Sequence, residues 1–242
     1  MKMPKMKEIE EAYDRIHKDI YHKRTAKFGT YEVFERRLNA RWHKIALNLI
    51  FRFDIKDKRV LEVGSGYGVL SVKLSKEGSI VTSMDISSEA LKISRRCANL
   101  FGASTNLVKG DAQNIPVSSS RFDFVVSCET IEHIPNYKRA IEEMIRCTRQ
   151  GGYILITFPN VLNPVGFVAK ALIKQPIDHA FTFHGILKKL RQMKKVRILE
   201  IGVVFMPSFR FLPVAYVNRA FEKTPFRVFA FTVGILLQRN VA

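Results

Sequence analysis

Apolar side chains at helical spacing open the chain. Ile9, Tyr13, Ile16 and Ile20 share one face of a segment from Lys7 to about Lys27, and Phe34, Leu38, Trp42, Ile45 and Leu49 repeat the pattern. Two amphipathic helices are therefore expected ahead of the first strand. Arg59–Val63 (RVLEV) reads as that strand, running into Gly64-Ser65-Gly66-Tyr67-Gly68, after which Val69, Leu70, Val72 and Leu74 resume a helical period. Ser79–Met84 gives a second strand ending at Asp85, and Ser87 or Ser88 caps a helix carrying Ala90, Leu91, Ile93 and Leu100. Asn106–Lys109 is a weak third strand and Phe122–Ser127 a buried fourth. Tyr137–Thr148 follows as a helix, and Tyr153–Phe158 as a fifth strand after a helix stop at Gly151-Gly152. Strand and helix alternate throughout, which predicts an α/β fold with a parallel sheet and helices on both faces.

Beyond Pro159 the pattern changes. Val165–Ile173 reads as a short apolar helix, Ile186–Val196 as a helix rich in Lys and Arg, and Val196–Phe205 and Phe229–Leu237 as two more strands, with a further helix inside Phe209–Phe226. The chain carries no internal repeat, low-complexity tract or flexible linker. With 242 residues, 47% of them apolar, it can bury a substantial core, so these segments read as elaborations of one domain. Residues 1–58 form an N-terminal helical cap, 59–160 a core, and 161–242 an elaboration that includes the last two strands.

The net charge of +18 is informative once divided along the chain. Residues 1–59 hold 16 Lys/Arg against 9 Asp/Glu, 60–160 hold 11 against 10, and 161–242 hold 13 against 3. A balanced core with basic flanks suits contact with something anionic, either a phospholipid surface or nucleic acid, although a solvated basic surface has the same composition. The last third also holds 10 of the 18 phenylalanines, a combination that can seat an amphipathic surface on lipid. Cys97, Cys128 and Cys147 form no CxxC pair and leave one thiol over, which favours a reducing compartment and argues against a zinc cluster. No apolar run reaches the roughly 18 residues of a spanning helix, and charged residues in place of an apolar core after Met1-Lys2-Met3-Pro4-Lys5 leave no secretory signal expected there. A cytoplasmic location, peripheral to a membrane at most, is expected.

The chemistry concentrates at strand ends. A glycine-rich turn directly after a strand lets backbone approach a ligand, with the free N–H groups of a helix behind it. Here the spacing is Glu62-x-Gly64-x-Gly66-x-Gly68, not the GxGxxG that accompanies a pyrophosphate, which argues against a nicotinamide-dependent oxidoreductase. Asp85, about 20 residues on, can accept both hydrogen bonds of a ribose. Gly110-Asp111-Ala112 sets another carboxylate on the same carboxyl edge.

These motifs, VLEVGSGYG, the acidic end of VTSMDIS, GDA, FDFVVSCETIEHIPN and GGYILITFPN, together resemble a class I S-adenosylmethionine-dependent methyltransferase. With HAFTFHGILKKL downstream, the chain is most similar to the ubiquinone- and menaquinone-biosynthesis-like enzymes and their small-molecule relatives. The resemblance implies a Rossmann-like, mostly parallel seven-stranded sheet whose last two strands form an antiparallel hairpin. It implies S-adenosyl-L-methionine as cofactor, with Glu62 and the turn Gly64, Ser65, Gly66 and Gly68 beside the methionyl part. Asp85, with Ile86 next to it, would hold the ribose. Asp111 and the Ala112 amide would meet the adenine, and Cys128 with Glu129 would line the methionyl side. Arg41 is a looser candidate for the cofactor carboxylate.

Methyl transfer from a sulfonium needs no metal and no protein nucleophile, only positioning, exclusion of water and, for some acceptors, a base. His133, with an ordinary pKa near 6.5, is the candidate base in the core motifs. His179 and His184 lie where relatives build the acceptor pocket. A small-molecule or lipid-like acceptor is the first expectation. An RNA methyltransferase gripping phosphates with its basic flanks is an alternative, weakened by CETI in place of an NPPY-like run after strand four. A cofactor-binding partner subunit without catalysis is another.

Overall fold

The computed structural model describes residues 5–38, 41–163, 176–204 and 228–241, and of residues 38, 41 and 42 only the backbone. Three helices come first, α1 (Met6–Phe28), α2 (Thr30–Leu38) and α3 (Arg41–Ile50). The alternating core follows as β1 (Arg59–Val63), α4 (Val69–Lys76), β2 (Ile80–Asp85), α5 (Ser88–Leu100), β3 (Thr105–Lys109), β4 (Phe122–Cys128), α6 (Tyr137–Cys147) and β5 (Thr148–Pro159). The described residues end with α7 (Phe183–Gln192), β6 (Val196–Val204) and β7 (Thr232–Arg239).

The seven strands form one sheet in the order β3-β2-β1-β4-β5-β7-β6. β3, β2, β1, β4 and β5 pair in parallel, and β7 runs antiparallel to both β5 and β6. The parallel core and the closing antiparallel hairpin are both as expected. Since strands one to four run the same way, their carboxyl ends share one edge, and the connections that leave it can converge on a ligand.

Apolar layers cover both faces. Ile141, Met144 and Ile145 of α6 with Ile186, Leu187 and Leu190 of α7 pack on one side, and Ile45 and Leu49 of α3 with Leu70 and Leu74 of α4 on the other. Gly234 in β7 permits the close approach of α3, since a Cβ there would lie 2.5 Å from Ile45 Cγ2. A third cluster joins Tyr21, Val33 and Phe34 of α1 and α2 to Tyr67, Val69 and Ile93, tying the N-terminal helices to α4 and α5. No described helix is long and apolar enough to cross a membrane.

Three expectations need correction. The apolar stripe from Phe34 to Leu49 belongs to two helices, because Phe34 packs on Tyr21 and Tyr67 while Ile45 and Leu49 pack on the sheet. Gly151-Gly152 does not precede β5 but lies inside it. A Cβ on Gly152 would sit 2.9 Å from the Asp123 carbonyl, and the pairing with β4 slips between Phe122 and Phe124, so the glycines serve a strand irregularity. Helix α7 starts at Phe183, earlier than expected, because the Thr182 hydroxyl accepts from Gly185 N at 3.1 Å and caps it there. The helices expected within 165–173 and 209–226 lie outside the described residues.

Candidate active site

At the end of β1 the chain turns through Gly64, Gly66 and Gly68, all with positive φ (74°, 51° and 71°). Each glycine answers a different neighbour. A Cβ on Gly64 would fall 2.2 Å from Thr130 Cγ2, and one on Gly68 would fall 2.0 Å from Ser94 Oγ on α5. At Gly66 the nearest atom would be His17 Cε1 at 3.8 Å, so this glycine opens on free space. Asp85 fixes the turn: its Oδ2 accepts from Gly66 N at 2.8 Å and its Oδ1 from Ser87 N at 2.9 Å.

That space is a cavity of about 280 Å³ at the carboxyl edge. Gly64, Ser65 and Gly66 of the turn, Asp85 and Ile86 after β2, and Asp111 and Ala112 after β3 line one wall. Glu62, Cys128, Glu129 and His133 line another. Both Asp111 oxygens accept from Gln113, Oδ1 from its backbone N at 2.8 Å and each oxygen from its side-chain amide.

Two carboxyls at the site are pushed toward their neutral form. Glu62 is 2% exposed and accepts from Ser71 Oγ, which itself accepts from Ser83 Oγ at 2.5 Å. Burial raises its pKa to about 8, Asp85 adds to the rise, and the serine hydrogen bonds only partly oppose it. Glu129 has a positive φ of 49° and accepts from Thr157 Oγ1 at 3.2 Å, and burial holds its carboxyl well above the usual range.

The remaining wall comes from the N-terminal helices, of which the sequence marked only Arg41 as part of the site. Ile9, Tyr13, Ile16, His17 and Ile20 of α1, with Arg37 of α2 and His43 of α3, face the cavity. Helix α1 is pinned there by Asp14, whose Oδ1 accepts from Ser87 Oγ at 2.6 Å and Glu89 N at 3.1 Å. Lys109 adds an ion pair to Glu10. The Arg37 guanidinium stacks 3.8 Å over the Tyr67 ring. His43 Nδ1 lies 2.8 Å from the Arg37 carbonyl, and burial lowers the His43 pKa to about 4. Burial also lowers the pKa of His17, against the pull of Asp85. Tyr13 Oη, Arg37 Nε and Ser65 Oγ are buried without a hydrogen-bond partner among the described residues, and all three residues line the cavity.

Residues 61–156 match the methyltransferase domain family. A ubiquinone biosynthesis O-methyltransferase of Coxiella burnetii (strain Dugway 5J108-111) is 31% identical over 163 residues, 63% of this chain and 70% of that protein. The chain belongs to the class I S-adenosylmethionine-dependent methyltransferases. A fatty-acid O-methyltransferase of Mycolicibacterium smegmatis is 35% identical to the methyltransferase over 106 residues, 43% of this chain and 38% of the relative. The methyltransferase spans less than half the length of several of the curated relatives it matches. Among solved structures, a chain of the complex between the Haloferax volcanii Trm112 methyltransferase activator and a methyltransferase shares the fold, with a TM-score of 0.66 at 15% identity, covering 97% of this chain and 98% of that one. S-adenosyl-L-methionine is the cofactor of the family.

Of the residues singled out in the methyltransferase sequence, most meet in this cavity, and a few do not. Gly68 caps α4 and seats it against Ser94 on α5 without lining the cavity. The Arg41 side chain lies outside the described residues. His179 is a clasp between segments: its Nε2 lies 2.9 Å from the Ile134 carbonyl and its ring stacks on Phe181. His184 is exposed on α7, and neither histidine lines the cavity. The overlooked side chains left some signal: Tyr13, Ile16 and Ile20 belong to the apolar stripe of α1, and Tyr67 sits inside the glycine turn.

Proposed function

We propose that this methyltransferase acts on a small or lipid-like acceptor, with S-adenosylmethionine held at the carboxyl edge and α1 closing the acceptor side. One observation carries the reading: the glycine turn and the carboxylates after two neighbouring strands, Asp85 and Asp111, open on a single cavity of about 280 Å³. In this reading residues 1–58 act as a cap, 59–160 as the cofactor-binding core and 161–242 as the acceptor-side elaboration.

The residues present fit the cofactor. The Asp85 oxygens each accept one backbone N–H, and a carboxylate retains lone pairs for two ribose hydroxyls. Asp111 and the Ala112 amide suit the donor and acceptor edge of adenine. Gly66 leaves open the space that a side chain would fill, beside Gly64, Ser65 and Glu62. Glu62 and Glu129, raised by burial, are groups that a cationic ligand would return to the ionised form, and Cys128 borders them. Arg37, buried with an unpartnered Nε, offers a cation to a ligand carboxylate.

When bound, the cofactor supplies an electrophilic methyl carbon. The protein's part is to hold the acceptor in line, keep water out and accept a proton where the acceptor carries one. Isoleucines 9, 16 and 20 of α1 with Ile134 give the cavity an apolar wall, which suits a hydrophobic acceptor. The relatives named for ubiquinone biosynthesis and fatty acids favour the same class. The 13 Lys/Arg against 3 Asp/Glu in residues 161–242 suit docking on anionic lipid, to be tested by liposome sedimentation as salt rises.

The deciding experiment is transfer of a labelled methyl group from S-adenosylmethionine into lipid, RNA and metabolite extracts. Label in the lipid or metabolite fraction is expected. Label in RNA alone, or in no fraction despite tight cofactor binding, overturns the acceptor class or the catalytic reading respectively.

A further inference from the structure

Among the polar groups of the cavity, Tyr13 has no role in the cofactor assignment. Its Oη is sealed from water and without a hydrogen-bond partner among the described residues. Such a hydroxyl weakens the fold unless a ligand completes it. The Tyr13 ring centroid lies 6.3 Å from that of His133, and both residues line the cavity. The tyrosine is also held in place: Asp14, next in sequence, bonds the start of α5 through Ser87 and Glu89.

We propose that Tyr13 and His133 together bind a hydroxyl group of the acceptor, Tyr13 donating to the acceptor oxygen and His133 taking its proton. The proposal rests on the methyltransferase reading of the cavity and names the chemistry of its acceptor.

Tyr13 is a donor across the physiological range, because burial first, and then the carboxylates of Glu132, Asp178 and Asp85, hold its phenol above the ordinary pKa. His133 Nδ1 lies 2.9 Å from the Ile177 carbonyl, which can only accept, so Nδ1 carries a hydrogen and the lone pair of the neutral ring is on Nε2. Glu132 Oε1 lies 3.8 Å from that Nε2 and, when ionised, favours the ring's taking a proton. Among the described residues, the charged and titratable groups around the pair include Glu132 from the same turn, Asp178 from the segment before α7, Asp85 after β2, and His17 on α1, whose ring centroid lies 6.4 Å from that of Tyr13.

A hydroxyl both donates and accepts, and so complements the pair. An amine would have the lone pair it needs for reaction tied up by the tyrosine, and a methyl ether has no proton to give. In the step itself the acceptor oxygen forms a bond to the methyl carbon, the electron pair of the breaking carbon–sulfur bond goes to sulfur, and the hydroxyl proton goes to His133.

The test uses the full chain saturated with S-adenosylhomocysteine and three matched probes: a para-alkyl phenol, the corresponding aniline and the corresponding methyl ether. Calorimetry is expected to show the phenol binding about tenfold more tightly than the other two. Tyr13→Phe, which keeps the ring packing, and His133→Gln should each remove that preference while S-adenosylhomocysteine affinity stays within about twofold. Transfer of labelled methyl to the phenol should rise with pH in the wild type and lose that dependence in His133→Gln. Equal affinity for the three probes, no phenol binding, or an unaltered preference in Tyr13→Phe overturns the pair. Failure of the wild type to bind S-adenosylhomocysteine at all sinks the cofactor reading instead.

Discussion

Replacing Glu62 by Gln isolates the cost of placing a carboxyl on β1 beneath the glycine turn. Glu62 is 2% exposed, and its pKa of about 8 stands against an unfolded value of 4.5. Between those two values the folded chain holds a proton that the unfolded chain has released, so raising the pH removes stability. The contribution is fully present below about pH 4.5, declines by about 1.4 kcal/mol per pH unit, and is gone above about pH 8, a total of about 5 kcal/mol. Glutamine keeps an oxygen to accept from Ser71 Oγ and cannot ionise. Urea unfolding of both proteins in steps from about pH 5 to about pH 9 should therefore give similar stabilities at the acid end and a progressively more stable variant at the alkaline end. Parallel pH profiles would show that Glu62 stays charged throughout, and with it would fall the inference that burial outweighs the serine hydrogen bonds at this carboxyl.

Other perturbations read other parts of the site. Asp85→Asn weakens charge-assisted bonds from Gly66 N and Ser87 N and should reduce S-adenosylhomocysteine affinity by about 2–3 kcal/mol, measured by calorimetry; an unchanged dissociation constant removes Asp85 from the site. Gly64→Ala drives a methyl to within 2.2 Å of Thr130 Cγ2 at a φ of 74°, and should lower stability by roughly 2–4 kcal/mol in thermal melts, whereas an unshifted midpoint contradicts the packing. Asp14→Ala removes both bonds from α1 to the start of α5, so amide exchange along α1 should accelerate before that of β1 and β4; uniform protection would show that α1 is held by its apolar face alone.

The parallel core and the cavity-lining carboxyl edge were legible because their residues are dictated locally. A strand that must turn sharply beside a cavity selects glycine at Gly64 and Gly66, both at positive φ, and a carboxylate at the next strand end, Asp85, satisfies the turn's own N–H while facing the cavity. What stayed hidden depends on long-range packing. The stripe of α1 announces a helix with an apolar face, yet periodicity is the same whether that face meets a core or a cavity, and here Tyr21 packs into a core cluster while Ile9, Tyr13, Ile16 and Ile20 line the cavity. Gly151-Gly152 is equally apt for ending a helix or bending a strand, and only the Asp123 carbonyl across the sheet decides. Gly68 matched the motif for a reason other than ligand contact, the serine of a neighbouring helix.

The raised carboxyls also give the cavity a sense of charge. Glu62 and Glu129 share its wall, and for both the dominant influence is loss of solvent. A cationic ligand favours their ionised forms and a neutral one does not, so binding a cation near neutral pH must release protons, and its affinity must grow as the pH rises toward about 8. S-adenosylmethionine carries a sulfonium and S-adenosylhomocysteine a neutral sulfur on otherwise equal frames, so their affinity ratio isolates this effect. That ratio should rise in favour of the sulfonium by up to about tenfold per pH unit for each carboxyl that ionises on binding, and flatten above about pH 8. Titrations of both ligands in buffers of different ionisation enthalpy would measure the protons directly. A ratio independent of pH would mean that neither carboxyl feels the ligand's charge, and that discrimination between cofactor and product is steric.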